Sequence, residues 1–200
     1  MYTLIYLAKF PTILFLQIHQ PLSVTRHERI DDDFFLYAEN QLIGVNLTIP
    51  TSIQSELTFG VIRQASPTLL TFLETRLHHV QLPFSLRPYR SGFVKARLLK
   101  KENHPDADSL FVCQVSLGNG SIQIVTNSTT IQEGNDVVVA RAGAMLLDGH
   151  MLETTMMLKQ KTEGMLCSQK TLGIEPITLH GVMPCSWREE ELGDDYYGAL

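Results

Sequence analysis

From Phe93 onward the chain is cut into short apolar pieces of five to eight residues, with turn clusters between them and no long helical stripe. Phe93–Lys100, Leu110–Ser116, Ser121–Thr126, Asp136–Arg141, Thr154–Leu158 and Gly164–Ser168 each alternate or run apolar, as strands do. Between them lie Asn103–Asp108, the run Leu117-Gly118-Asn119-Gly120, Asn127–Asn135 and Gly143–Gly149, all rich in turn formers. Five or six closely spaced strands predict a small closed β-barrel. In the first of them, alternation assigns Val94, Ala96 and Leu98 to one face and Lys95 and Arg97 to the other, outward face.

The first half follows another pattern. Tyr2–Leu7 and Thr12–Ile18 are β-rich runs flanking a turn at Lys9–Pro11, which splits the apolar N-terminus into pieces too short to span a bilayer. A polar stretch from Thr25 to Asp33 separates them from Phe34–Tyr37 and Leu42–Leu47. Ser66 then stands where an N-cap belongs, with Pro67 at the first helical position and Leu69, Leu70, Leu73 and Leu77 as an apolar stripe. Leu82 to Ser91, with Pro83 and Pro88, reads as a linker. The expected organisation is α+β: a small α/β domain over residues 1–85, a five-stranded barrel over 90–173, and a strand plus acidic tail over 174–200. In that last stretch Ile177–Leu179 is the expected strand, and the final residues are expected to be mobile.

Charge and cysteine usage narrow the chemistry. Net charge is −5, the wrong sign for binding nucleic acid by bulk electrostatics. Most of the net negative charge comes from Glu189, Glu190, Glu191, Asp194 and Asp195, and residues 90–175 balance nine basic against nine acidic side chains. Cys113, Cys167 and Cys185 are far apart, with no metal-ligand spacing, so the expected redox setting is a reducing cytoplasm and no metal or cofactor is expected. No nucleophile elbow, phosphate loop or dinucleotide fingerprint is present, which argues against an enzyme.

One ordered set of motifs is specific. His104-Pro105-Asp106-Ala107-Asp108-Ser109-Leu110 leads into Phe111-Val112-Cys113-Gln114-Val115, followed by Gln123-Ile124-Val125-Thr126-Asn127 and by Glu163-Gly164-Met165-Leu166-Cys167-Ser168. Over roughly residues 90–173 this series resembles the tRNA-binding domain of the bacterial phenylalanyl-tRNA synthetase beta chain. The same module occurs in bacterial methionyl-tRNA synthetase and in stand-alone bacterial proteins of the YtpR type, whose small N-terminal domain the first half also resembles. The resemblance implies an OB-fold that binds tRNA by shape and backbone. The implied partner is tRNA, with a synthetase or a second copy of the chain as further candidates; neither a membrane nor a small-molecule substrate is implied. The candidate RNA-binding residues are Lys95, Arg97, Lys100, Lys101, Asn127, Lys159, Lys161 and Thr162. Where the family has an Arg-Gly pair and then Ser, this chain reads Lys159-Gln160-Lys161-Thr162, losing the flat fork of Arg. The competing expectation is a protein-interaction module on the same scaffold that has lost most RNA affinity. His104, Asp106 and Asp108 are expected to shape the loop, Gly164 to allow close backbone packing, and Met165 and Cys167 to lie in the core.

Overall fold

A computed structural model describes residues 2–18, 22–82 and 84–198, and the chain divides into two units, residues 1–91 and 92–198. Met1, Pro83, Ala199 and Leu200, which fall within the expected first strand region, linker and tail, lie outside the described residues.

In the first unit, β1 (Tyr2–Tyr6) and β2 (Ile13–Ile18) pair antiparallel, with Leu4 opposite Leu16. β3 (Arg26–Ile30), β4 (Asp33–Ala38), β5 (Gln41–Thr48) and β6 (Gly60–Ile62) complete a six-stranded sheet in the order β3-β4-β5-β2-β1-β6. Every pairing in it is antiparallel, so the unit is a mostly β structure rather than the expected α/β domain. The polar stretch taken for a separator contains β3, an edge strand whose side chains are exposed up to Ile30 and which is held to β4 by backbone bonding. A short helix, α1 (Thr51–Gln54), precedes α2 (Pro67–Leu77). Ser66 caps α2 by accepting the Leu69 N–H at 3.1 Å, and Leu69, Leu70, Leu73 and Leu77 are buried in the core with Leu4, Leu14 and Val45.

The second unit begins with β7 (Phe93–His104) and β8 (Ala107–Ser116), then β9 (Ser121–Thr126) and β10 (Asp136–Arg141). β11 (Thr155–Met157) and β12 (Gln160–Thr162) form a hairpin of their own, and β13 (Gly164–Leu166) returns to β10. The main sheet runs β13-β10-β7-β8-β9 and is open, not the closed barrel expected. Its outer strands are bridged locally instead: Glu163 N–H donates to Gln123 O at 2.9 Å, and Thr162 Oγ1 accepts from Val125 N at 3.2 Å. The ladder fails to close because β13 is three residues long and the chain before it is diverted into the β11–β12 hairpin. Ala96, Leu98, Cys113, Val115, Ile124, Val137 and Val139 pack on the inner face. Ser168 caps α3 (Gln169–Leu172).

Residues 177–179 form no strand, and the tail is not loose through Gly198. Gly193 N–H donates to Lys95 O, Lys95 N–H to Asp194 O, and Tyr196 N–H to Phe93 O, so the segment pairs with the start of β7. Trp187, Tyr196 and Tyr197 pack with Phe93, Val138 and Cys167, a buried apolar cluster that anchors it.

Candidate nucleic-acid interface

β7 presents Lys95 and Arg97 outward, as alternation requires, but both are occupied. Lys95 Nζ lies 2.7 Å from Glu191 Oε1 and 5.2 Å from the centre of the Trp187 ring. Arg97 Nε donates to Asp136 Oδ1 at 2.7 Å, Nη2 to Trp187 O at 3.1 Å, and Nη1 to Glu189. The side chains are only 19% and 28% exposed. The hydrogen bond from Lys95, then those from Arg188, pull the Glu191 carboxyl down to about 2. The acidic segment thus forms a strap over the cationic face that the sequence offers to RNA.

A bulge decides the next two candidates. The β7–β8 register shifts between Leu98 and Lys100, which reverses the alternation downstream. Lys100, which unbroken alternation would put inside with Leu98, turns outward and pairs with Glu102 at 2.9 Å. Lys101 turns inward: its Nζ sits 4.0 Å over the Phe111 ring and donates to Ile131 O at 3.0 Å, closing the end of the core. Of the four β7 cations, Lys100 alone keeps a largely exposed head.

The remaining candidates gather around the β11–β12 hairpin. Leu158 and Lys159 have positive φ of 45° and 69°, the paired left-handed turn that suits a tight hairpin. Lys159 is 87% exposed, its Nζ 3.5 Å from Asp106, and Lys161 pairs with Glu163 at 2.7 Å. Bonds from Lys161, then from the Gln123 backbone, lower the Glu163 pKa. Thr162 is buried and holds the hairpin to β9, donating to Gly164 O while accepting from Val125, so it is a scaffold residue and not a contact. His104 secures the other side. Its Nδ1 accepts the Asp106 N–H at 3.1 Å, which places the proton on Nε2, 3.2 Å from Met157 O.

Beside the hairpin runs an open groove of about 680 Å³. Met157, Met165 and Leu110 give it apolar walls; Asn127, Ser168 and His180 supply polar groups. Asn127 is exposed on its rim, and Met165, expected in the core, faces the groove because it alternates with buried Leu166. His180, Ser168 and Met157 are not among the binding candidates of the sequence: a lone His in a coil has no pattern, Ser168 stands there as the end of a strand motif, and Met157 as part of an apolar run. Among the described residues no cluster of three or more His, Cys, Asp or Glu is arranged to hold a metal ion, and no helix is long and apolar enough to cross a membrane.

The sheet, the cation-tipped hairpin and the groove beside it lie in a segment that is similar to a known family. Residues 93–183 match the family described as "Putative tRNA binding domain". The chain is 40% identical over 84 residues to the phenylalanine–tRNA ligase beta subunit of Sulfurimonas denitrificans, covering 42% of this chain and 11% of that one. It is 40% identical over the same length to the Staphylococcus aureus subunit, covering 42% and 10%. The chain therefore spans about a tenth of these relatives' length.

Proposed function

We propose that the second unit binds tRNA along the β11–β12 hairpin and the groove beside it, and that the chain is a non-catalytic tRNA-binding protein. The observation that carries this is a coincidence of place: the segment similar to a tRNA-binding domain is the one that bears Lys159, Lys161 and the groove holding Asn127. The strand order β13-β10-β7-β8-β9 supports reading the sheet as a partly open OB-fold, whose usual ligand surface lies across the sheet and the loops at its rim. The two strand connections meeting at Lys159 and Asp106 are such rim loops. Recognition through this surface is by backbone and shape, with Lys heads for phosphates and Met157 and Met165 as an apolar seat for a ring. We read the chain as a cytoplasmic protein of the YtpR type, with a synthetase or a second copy as candidate partners.

Lys100, Lys159 and Lys161 are the contacts of this reading. With each phosphate contact lowering log affinity by roughly 0.7–0.9 per log unit of salt, three give a slope of about −2 to −3. Replacing Lys159 and Lys161 together by Ala flattens it by about 1.5. Lys95→Gln leaves the slope unchanged, because its ammonium is held by Glu191. Bulk-tRNA binding over a salt series measures all three. A folded wild type that fails to bind tRNA at ~50 mM salt would overturn the reading. That result would favour the interaction module, for which the exposed hairpin residues Met156, Met157 and Leu158 offer an apolar contact.

A further inference from the structure

The first unit carries a recess of about 340 Å³, lined by Tyr2, Phe84, Ser85, Arg87, Pro88 and Arg90. Its aromatic wall is fixed. Tyr2 and Phe84 stack with centroids 4.9 Å apart and planes 16° from parallel, and Tyr89 meets Tyr2 edge-on at 5.4 Å. The Tyr2 hydroxyl donates to Leu86 O at 2.8 Å and the Tyr89 hydroxyl to Ile62 O at 2.5 Å, which ties the wall to the backbone. Burial pushes the Tyr2 phenol well above its ordinary value, so it stays neutral. Tyr2 is buried, whereas Phe84 is half-buried and lines the recess.

The recess is also cationic. Arg87 donates from Nε to Glu74 at 2.8 Å and from Nη2 to Thr71 Oγ1 at 2.9 Å. Its guanidinium is thereby oriented before any ligand arrives, and Nη1 has no acceptor among the described residues. Arg90 is exposed and makes no ion pair with any described residue. No carboxylate lines the recess, and the neighbouring acid, Glu74, is already engaged by Arg87. Two arginines beside a fixed aromatic wall suit a ligand with a flat ring and an attached phosphate: guanidinium donors match phosphate oxygens in pairs, and rings stack on phenyl faces. The volume lies at the lower end for small-ligand sites, roughly 300–1,000 Å³, which fits one such unit.

We propose that this recess is a nucleotide-binding site, with Phe84 against the base and Arg87 and Arg90 on the phosphate. The nucleotide is either free or one residue of an RNA strand. Calorimetric titration of the full chain with AMP, adenosine, ribose 5-phosphate and a short single-stranded RNA tests this. AMP is expected to bind more tightly than adenosine or ribose 5-phosphate, each of which lacks one of the two recognised groups. Arg90→Gln, on an exposed side chain whose loss leaves folding intact, weakens AMP about tenfold, as loss of one charge-assisted contact does. Phe84→Leu weakens AMP but not ribose 5-phosphate. RNA binding that needs Arg90 and Phe84, without AMP binding, assigns the site to a nucleotide within a strand. The proposal is overturned if neither AMP nor RNA responds to Arg90→Gln, or if AMP binding is lost in Lys159→Ala/Lys161→Ala instead. It is equally overturned if ribose 5-phosphate binds as well as AMP. These outcomes are independent of tRNA binding by the second unit, which the hairpin variant tests alone.

Discussion

Gly164 sits where β13 crosses β10, paired with Arg141, and a side chain there meets backbone. A Cβ would lie 2.5 Å from Ala140 O and 3.4 Å from both Ala140 C and Arg141 Cα. The nearest approach is about 0.9 Å inside ordinary contact, and no flexible side chain is available to yield. Either β13 moves off β10 or the sheet bends, so Gly164→Ala costs about 1–3 kcal/mol, the range for overpacking. Two other glycines separate this cause from conformational strain. Gly149 has φ of 86° and open space around it, so Gly149→Ala carries only the left-handed penalty of about 1–2 kcal/mol. Gly120 has neither positive φ nor a neighbour within 4 Å, and Gly120→Ala is neutral or stabilising by about 0.4–1 kcal/mol. Urea unfolding followed by the fluorescence of Trp187, the chain's single tryptophan, which lies in the second unit, measures the series. A Gly164→Ala protein as stable as wild type would refute the close-approach argument. So would one whose β13 amides keep full exchange protection, since it is β13 that the clash drives off β10.

Two further outcomes follow from the same unit. His104→Ala removes the bond to Met157 O that ties the β7–β8 turn to the hairpin and the Asp106 bond that shapes the turn itself, each contributing about 0.5–1.5 kcal/mol; hydrogen exchange at Gln160–Thr162 should quicken and tRNA affinity fall, and unchanged exchange would exclude the latch. Glu191 has a folded pKa of about 2, below its ordinary 4.5, so its contribution is complete above about pH 4.5 and is lost as pH falls toward 2. Trp187 emission should shift in that window, and Glu191→Gln should remove that component of the shift.

What the sequence made legible was what burial imprints on it. Val94, Ala96 and Leu98 alternate because β7 has one apolar side, and Ser66-Pro67 announces a helix because capping depends on adjacent residues. β3 left no such imprint: Arg26 to Arg29 are all exposed, so an edge strand held by its backbone reads as a polar loop. Lys101 was misplaced for a related reason. Alternation predicts an outward side chain, and the bulge after Leu98 inverts it. The strap was unreadable because its partners are remote: Arg97 and Glu189 are separated by 92 residues, and a run of glutamates looks like a solvated tail.

The strap also changes what the net charge means. Place on a strand or loop makes a lysine a candidate phosphate ligand, yet availability depends on what each already holds. Lys95 and Glu191 are 19% and 23% exposed and pinned by backbone pairing on both sides, so RNA would have to strip away a docked segment to reach the ammonium. Lys159–Asp106 at 87% and 47%, and Lys100–Glu102 at 58% and 60%, are solvated pairs of the kind that contribute about 0–1 kcal/mol. A phosphate replaces such a carboxylate at little cost, because both states are hydrated and the lysine keeps a partner. An acidic chain can therefore hold a polyanion, provided its carboxylates are tied into buried pairs in one place and weakly held in another. In the second unit the division runs between the strap side of β7, whose cations are held in part-buried pairs, and Lys100 with the hairpin tip, whose cations are free to exchange partners.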